Sequence, residues 1–174
     1  MRKNIVLCGF MGSGKTVTGR LVAKQLERKF IDLDEWIEQR QGLSVKEIFA
    51  RYGEARFRQL ETEAAEELGR SDGLVIACGG GTVLRPENTA ALKANGMIFY
   101  LRVSADTVKR RLKNDSSRPL LAGDRNAAVD ALLAAREPVY RAAADDTVDA
   151  DGTAEQAAGE IIDIYRGAEA ARNG

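Results

Sequence analysis

The chain has 174 residues, 44% hydrophobic and 30% charged, which is enough for one continuous core, too short for two full domains and too apolar for wholesale disorder. Its 26 Lys and Arg balance 26 Asp and Glu, so no global field draws it to nucleic acid or to an anionic membrane. With no His and only two Cys, His-based triads, His-ligated zinc and disulfide scaffolds are excluded, and any chemistry must use Lys, Arg, Asp, Glu, hydroxyls, backbone amides or a metal.

No stretch approaches the roughly 20 apolar residues of a membrane span, and Met1-Arg2-Lys3-Asn4 leads into a short strand-like run without the long apolar region of a cleavable signal. A cytoplasmic location is expected. Ile5-Val6-Leu7-Cys8 is apolar without alternation, as in a parallel strand covered on both faces. A glycine-rich turn follows. From Thr16 onward Val17, Leu21, Val22 and Leu26 recur at helical spacing, with Arg20, Lys24, Gln25 and Glu27 mostly between them.

Phe30 to Leu33 reads as a short strand, and Glu35–Gln41 and Ser44–Leu68 as helices broken at Gly42 and Gly53. Leu74 to Cys78 is a third strand, ending in Gly79-Gly80-Gly81. A helix from Pro86 to Lys93 has Pro in its first turn, and Met97 to Val103 is a strand. Ser104 is placed to cap a helix running to about Lys113. A polar segment, Asn114 to Arg125, precedes a helix from about Ala127 to Ala143. Thr147 to Ala150 is a last short strand and Thr153 to Tyr165 a last helix capped by Thr153, with a frayed tail from Gly167. Strands alternating with helices predict an α/β fold on a parallel sheet; no repeat or linker interrupts it.

Gly9-Phe10-Met11-Gly12-Ser13-Gly14-Lys15-Thr16 matches G-x-x-x-x-G-K-[ST], the phosphate-binding P-loop. The glycines let successive amides point at one centre, and the following helix adds its positive end. Lys15 supplies a point charge to the β- and γ-phosphates, and the Thr16 hydroxyl is a ligand for Mg²⁺. A buried strand before the motif and an amphipathic helix after it give it the required context.

A P-loop leaves the phosphate acceptor open. Asp32-Leu33-Asp34 places two carboxylates at the end of a strand, pointing to one side, and strand carboxyl ends are where open parallel sheets bind ligands. An aspartate there suits a metal's water shell or an acceptor hydroxyl; Asp34 is equally placed to cap the helix that follows. Gly79-Gly80-Gly81 offers backbone without side-chain bulk, either to a ligand or to a plain turn. Arg58, Arg118 and Arg136 carry the planar fork that suits carboxylate or phosphate, although most arginines are solvated surface residues.

Taken together and in this order, Gly-Phe-Met-Gly-Ser-Gly-Lys-Thr at 9–16, Asp-Leu-Asp at 32–34, Gly-Glu-x-x-Phe-Arg at 53–58, the triplet at 79–81, Arg-Pro-Leu-Leu at 118–121 and Arg-Glu-Pro-Val-Tyr at 136–140 resemble the shikimate kinase family. The similarity runs from Ile5 to about Ile164. It implies one kinase domain over 1–174 with a P-loop three-layer α/β/α sandwich, a five-stranded parallel sheet of order 2-3-1-4-5, a substrate-binding helical region at about 35–62 and a lid at about 113–124. It also implies transfer of the ATP γ-phosphate to the 3-hydroxyl of shikimate with Mg²⁺, in a monomer with no nucleic-acid or membrane partner.

By matching position, the resemblance assigns ATP to Gly12, Ser13, Gly14, Lys15, Thr16 and Val17, with Arg110 against adenine and Arg118 reaching the phosphates as the lid closes. It makes Asp34 the base and binder of shikimate hydroxyls, Arg58 and Arg136 the grip on the carboxylate, Gly79, Gly80 and Gly81 backbone contacts, and Asp32 a magnesium residue acting through water. Two alternatives stay open: another small-acceptor P-loop kinase, for gluconate or a nucleoside monophosphate, and a module that holds ATP without transferring it. Cys8 and Cys78, each just before a glycine loop, are expected on adjacent strands as free thiols. Trp36 is expected to pack in the ordinary way, and Tyr140 to anchor its helix.

Overall fold

The computed structural model describes residues 3–113 and 125–173. Five strands, β1 (Asn4–Cys8), β2 (Phe30–Asp32), β3 (Val75–Ala77), β4 (Gly96–Arg102) and β5 (Asp146–Asp149), form one sheet in the order β2-β3-β1-β4-β5. Every pairing in it is parallel, with Leu7 at the centre aligned to Ala77 on one side and Phe99 on the other. The expected strand order and parallel α/β layout are therefore present.

Alternation along the strands divides the core into two layers. Val6, Cys8, Ile76, Ile98 and Tyr100 face the helices α2 (Leu33–Gln41), α3 (Val45–Gly69), α4 (Pro86–Ala94), α5 (Ala105–Leu112) and α6 (Arg125–Ala143), meeting Ile37, Leu60, Leu92, Val108 and Tyr140. Ile5, Leu7, Val75, Phe99, Leu101 and Val148 face α1 (Lys15–Gln25) and α7 (Ala154–Asn173), meeting Val22, Ala157 and Ile161. Both faces of β1 are buried, which is why its sequence is a solid apolar run; each such side chain contributes about 1.5–3 kcal/mol.

Local chemistry sets the boundaries. The strand expected to reach Leu33 stops at Asp32, whose carboxylate accepts from the backbone nitrogens of Asp34 (3.1 Å) and Glu35 (3.3 Å) and so starts α2. Asp32, and not Asp34, is the helix cap. Gly42 ends α2 in the left-handed region at φ 64°, and Ser44 opens α3 with a reciprocal capping box to Glu47. Within α3, Gly53 at φ 80° and ψ 173° breaks the helix as expected. Ser104 and Thr153 cap α5 and α7 through Thr107 N (3.2 Å) and Gln156 N (3.2 Å).

Two features differ from expectation. A single 3₁₀ turn, Thr82–Leu84, follows the glycine triplet. The chain after Gly167 is helical, since α7 runs on to Asn173. The reason is a clasp at the opposite end of the sheet: the buried Arg28 donates to Lys3 O (2.8 Å) and to the Tyr165 hydroxyl (2.9 Å), and that hydroxyl donates to Glu169 Oε1 (2.7 Å). Tertiary contact thus holds a segment whose composition suggests fraying. From residue 114 to 124 the expected lid, with Arg118, lies outside the described residues. Trp36 packs against the main core cluster with Arg40 over its ring, 4.0 Å from the centroid.

Candidate active site

Because all strands run the same way, the segments leaving β1, β2, β3 and β5 open onto one edge of the sheet. The first is the P-loop. Gly12 and Gly14 hold it in a turn at φ 76° and 88° that L side chains rarely adopt, and Gly14 immediately precedes α1. Lys15 folds back so that Nζ donates to the carbonyls of Gly9 (2.8 Å) and Phe10 (3.0 Å). The Thr16 hydroxyl donates to Asp32 Oδ2 at 2.8 Å. Asp32 therefore acts through both oxygens, one capping α2 and the other bound to the P-loop threonine.

The segment after β3 is the glycine triplet, and around it the acceptor residues gather. A methyl group at Gly79 would lie 2.9 Å from Asp34 Oδ1, 3.0 Å from Glu61 Oε1 and 3.2 Å from Thr82 Oγ1. One at Gly81 would lie 2.5 Å from Arg58 Nη1. At Gly80 the same point has 3.7 Å to Arg136 Nη1 and 3.9 Å to both the P-loop nitrogen of Met11 and the Tyr140 hydroxyl. Asp34, Arg58 and Arg136, drawn from α2, α3 and α6, thus surround three glycines that abut the phosphate loop.

Arg58 is fixed by acids on its own helix. It pairs with Glu54 at 3.1 Å and with Glu61 at 2.6 Å. Burial disfavours the Arg58 charge, but the two carboxylates outweigh it and hold its pKa above the ordinary value. Glu61 is 1% exposed and also accepts from the Thr82 hydroxyl at 2.9 Å; such a carboxylate is tolerable inside only because it is paired and hydrogen-bonded. Sequence reasoning missed it, although a signal exists: Glu61 falls on the apolar stripe of Phe57, Leu60, Ala64, Ala65 and Leu68, where a solvated charge has no place.

The segment after β5 completes the edge. A cavity of about 280 Å³ lies between the P-loop and α7, lined by Ser13, Gly14, Val17, Arg111, Gly152 and Thr153 among others. Arg111 donates to Gly12 O (3.0 Å), Ala150 O (2.8 Å) and Gly152 O (3.2 Å), bridging the phosphate loop to the last loop. Arg110, the expected cation, is exposed and donates to Thr107 Oγ1 at 3.2 Å. Of the run Lys109-Arg110-Arg111, both arginines are exposed, and it is Arg111, one turn from Val108, whose guanidinium reaches the P-loop carbonyl.

Cys8 and Cys78 lie side by side beneath these loops as free, buried thiols, Cys78 N donating to Leu7 O at 2.9 Å. Burial pushes the Cys8 thiol up to about 12, against the nearby Lys15 charge, and raises Cys78 as well. Neither is a nucleophile at neutral pH. The edge as a whole brings a P-loop, two arginines and a carboxylate around one glycine triplet, a combination suited to moving a phosphoryl group onto a small anionic alcohol.

The family model described as shikimate kinase matches residues 11–166. Relatives of that name include one from Geobacter sulfurreducens, 45% identical over 166 residues and covering 94% of this chain and 91% of the relative. Another, from Caldicellulosiruptor bescii, is 42% identical over 172 residues and covers 98% and 99%. Among solved structures, shikimate kinase from Acinetobacter baumannii in complex with shikimate superposes with a TM-score of 0.90 at 36% identity, over 96% of this chain and 94% of that one. A gluconokinase from Sinorhizobium meliloti, 15% identical with a TM-score of 0.58, shares the fold.

Proposed function

The chain belongs to the shikimate kinase family and is a phosphotransferase acting on a hydroxyl group; we propose that it moves the γ-phosphate of ATP to the 3-hydroxyl of shikimate, giving shikimate 3-phosphate and ADP. The observation that carries this assignment is the placement of Asp34, Arg58 and Arg136 around the glycine triplet, with Gly80 against the P-loop. Two ligands bound on the two sides of that contact have their reacting ends together.

In this reading the P-loop amides, the N-terminus of α1 and Lys15 hold the triphosphate. Val17, the rim of the 280 Å³ cavity and Arg111 border the nucleoside, and Arg111 replaces Arg110 there. Arg118, which lies outside the described residues, is assigned to the phosphates by resemblance. Arg58 and Arg136 grip the shikimate carboxylate as planar forks, and Asp34 receives the hydroxyls and takes the proton of the one that attacks.

For Mg²⁺ the donor set fits. The Thr16 hydroxyl and the Asp32 carboxylate are hard oxygen donors in contact beside the phosphate loop, and among the described residues no cluster of three or more acidic or thiol ligands forms a cage. An ion held by one or two protein oxygens, waters and phosphates is the mode magnesium favours. When bound it neutralises charge on the transferring phosphoryl group. The protein's own part is to hold Thr16 and Asp32 in place, to orient the acceptor by its carboxylate and to accept one proton at Asp34.

A coupled assay for ADP release with shikimate, gluconate and nucleoside monophosphates tests the assignment. Turnover that requires shikimate and Mg-ATP together is the expected result. Transfer to gluconate or to a nucleotide in preference to shikimate overturns the substrate, and ATP bound without product from any acceptor overturns the reaction.

A further inference from the structure

Tyr140 is fully buried on α6, stacked on Tyr100 with ring centroids 5.3 Å apart. Packing alone accounts for the ring, and a phenylalanine would fill the same space. The hydroxyl is different: it donates to Gly80 O at 2.5 Å, and one helical turn back along the same face lies Arg136. The Tyr140 oxygen and Arg136 Nη1 stand 3.9 Å and 3.7 Å from the same point over Gly80. Burial pushes the hydroxyl up to about 12, opposed by the nearby Arg136 charge.

A phenol has one proton to give, and here it goes to a carbonyl. Its lone pairs are turned away from that carbonyl, and the Arg136 guanidinium is the cation that shares the space over Gly80 with them. Holding Gly80 O also holds the planar peptide that it shares with Gly81 N–H. One buried oxygen therefore holds a backbone unit of the glycine triplet and borders one arm of the anion grip. Resting on the acceptor assignment above, we propose that Tyr140 is a positioning residue for the acceptor, acting through Arg136 and the Gly80–Gly81 peptide to set its affinity without touching it.

The test is Tyr140→Phe, assayed with shikimate and Mg-ATP varied separately. The shikimate KM should rise about tenfold, the effect of losing one buried hydrogen bond that positions the acceptor's contacts, while the ATP KM stays within twofold. Tyr100→Phe is the matched control. It removes a hydroxyl from the same stack, one with no hydrogen-bond partner among the described residues, and should leave both KM values unchanged. In an Arg136→Lys background, which lacks the planar fork, the effect of Tyr140→Phe should shrink to twofold or less.

A shikimate KM within twofold of the parent in Tyr140→Phe overturns the proposal. So does an equal rise for both substrates, or the same rise in Tyr100→Phe, either of which marks general loosening of the stack. Arg136→Ala separates this inference from the assignment it rests on. A raised shikimate KM there with Tyr140→Phe silent removes only the role of Tyr140, whereas an unchanged one removes the acceptor grip itself.

Discussion

Lys15, Asp34 and Arg136 are assigned to different points of the proposed reaction, and kinetics should separate them. Lys15 sits in the phosphate loop and is assigned to charge that develops on the phosphoryl group, so Lys15→Ala should lower kcat by about 10²-fold or more. Asp34→Asn keeps the shape and loses the base, so kcat should fall by about 10²-fold with a much smaller change in the shikimate KM; equal kcat in parent and variant would reduce Asp34 to an orienting group. Arg136→Ala removes one arm of a carboxylate grip that serves ground and transition states alike, so the shikimate KM should rise about 30-fold, ~2 kcal/mol, with kcat nearly unchanged. Glu61 belongs to the same scale: it was illegible as a functional residue because a pairwise contact with Arg58 and Thr82 has no linear signature beyond an acid on an apolar stripe.

At the level of the element, α3 has to deliver Arg58 and Glu61 to the glycine triplet, and it does so across a break. Gly53 takes φ 80° with no atom within 4 Å of where a side chain would begin, so the obstacle to substitution there is backbone conformation and not space. Gly53→Ala should destabilise the fold by about 1 kcal/mol and raise the shikimate KM by redirecting the second half of the helix; a thermal melt and a shikimate titration would check both, and an unchanged KM would show that the bend is not needed for aim. The caps at Ser44, Ser104 and Thr153 were readable from short patterns because capping is local. The end of α7 was not, since the clasp of Arg28 on Lys3 and Tyr165 joins residues more than 130 positions apart.

Across the whole molecule, groups buried beneath the loop edge make stability fall in alkali. Cys8 ionises at an ordinary value of 9.0 and is pushed to about 12 by burial, while Tyr140 and Tyr100 go from 10.0 to about 12. In each case the folded state binds the proton more tightly than the unfolded one, so the contribution is complete below pH 9 and is lost as pH climbs from about 9 to 12. Thermal melts between pH 8 and 11 should show Tm falling above pH 9, and Cys8→Ser should make that fall shallower while Cys78, raised from the same ordinary value of 9.0, keeps its onset in place; a flat Tm to pH 11 would contradict the buried, protonated thiols. The amino-acid sequence determined the alternation of strands and helices, the phosphate loop and the break at Gly53, because glycine conformation, hydrophobic period and capping act over a few residues. Only the folded sheet decided that Arg111 donates to the P-loop carbonyl, that Asp32 is the cap, and that the Tyr140 hydroxyl bonds Gly80 O. Those choices depend on which side chains the parallel strands bring to one edge, and distance along the chain carries no information about that.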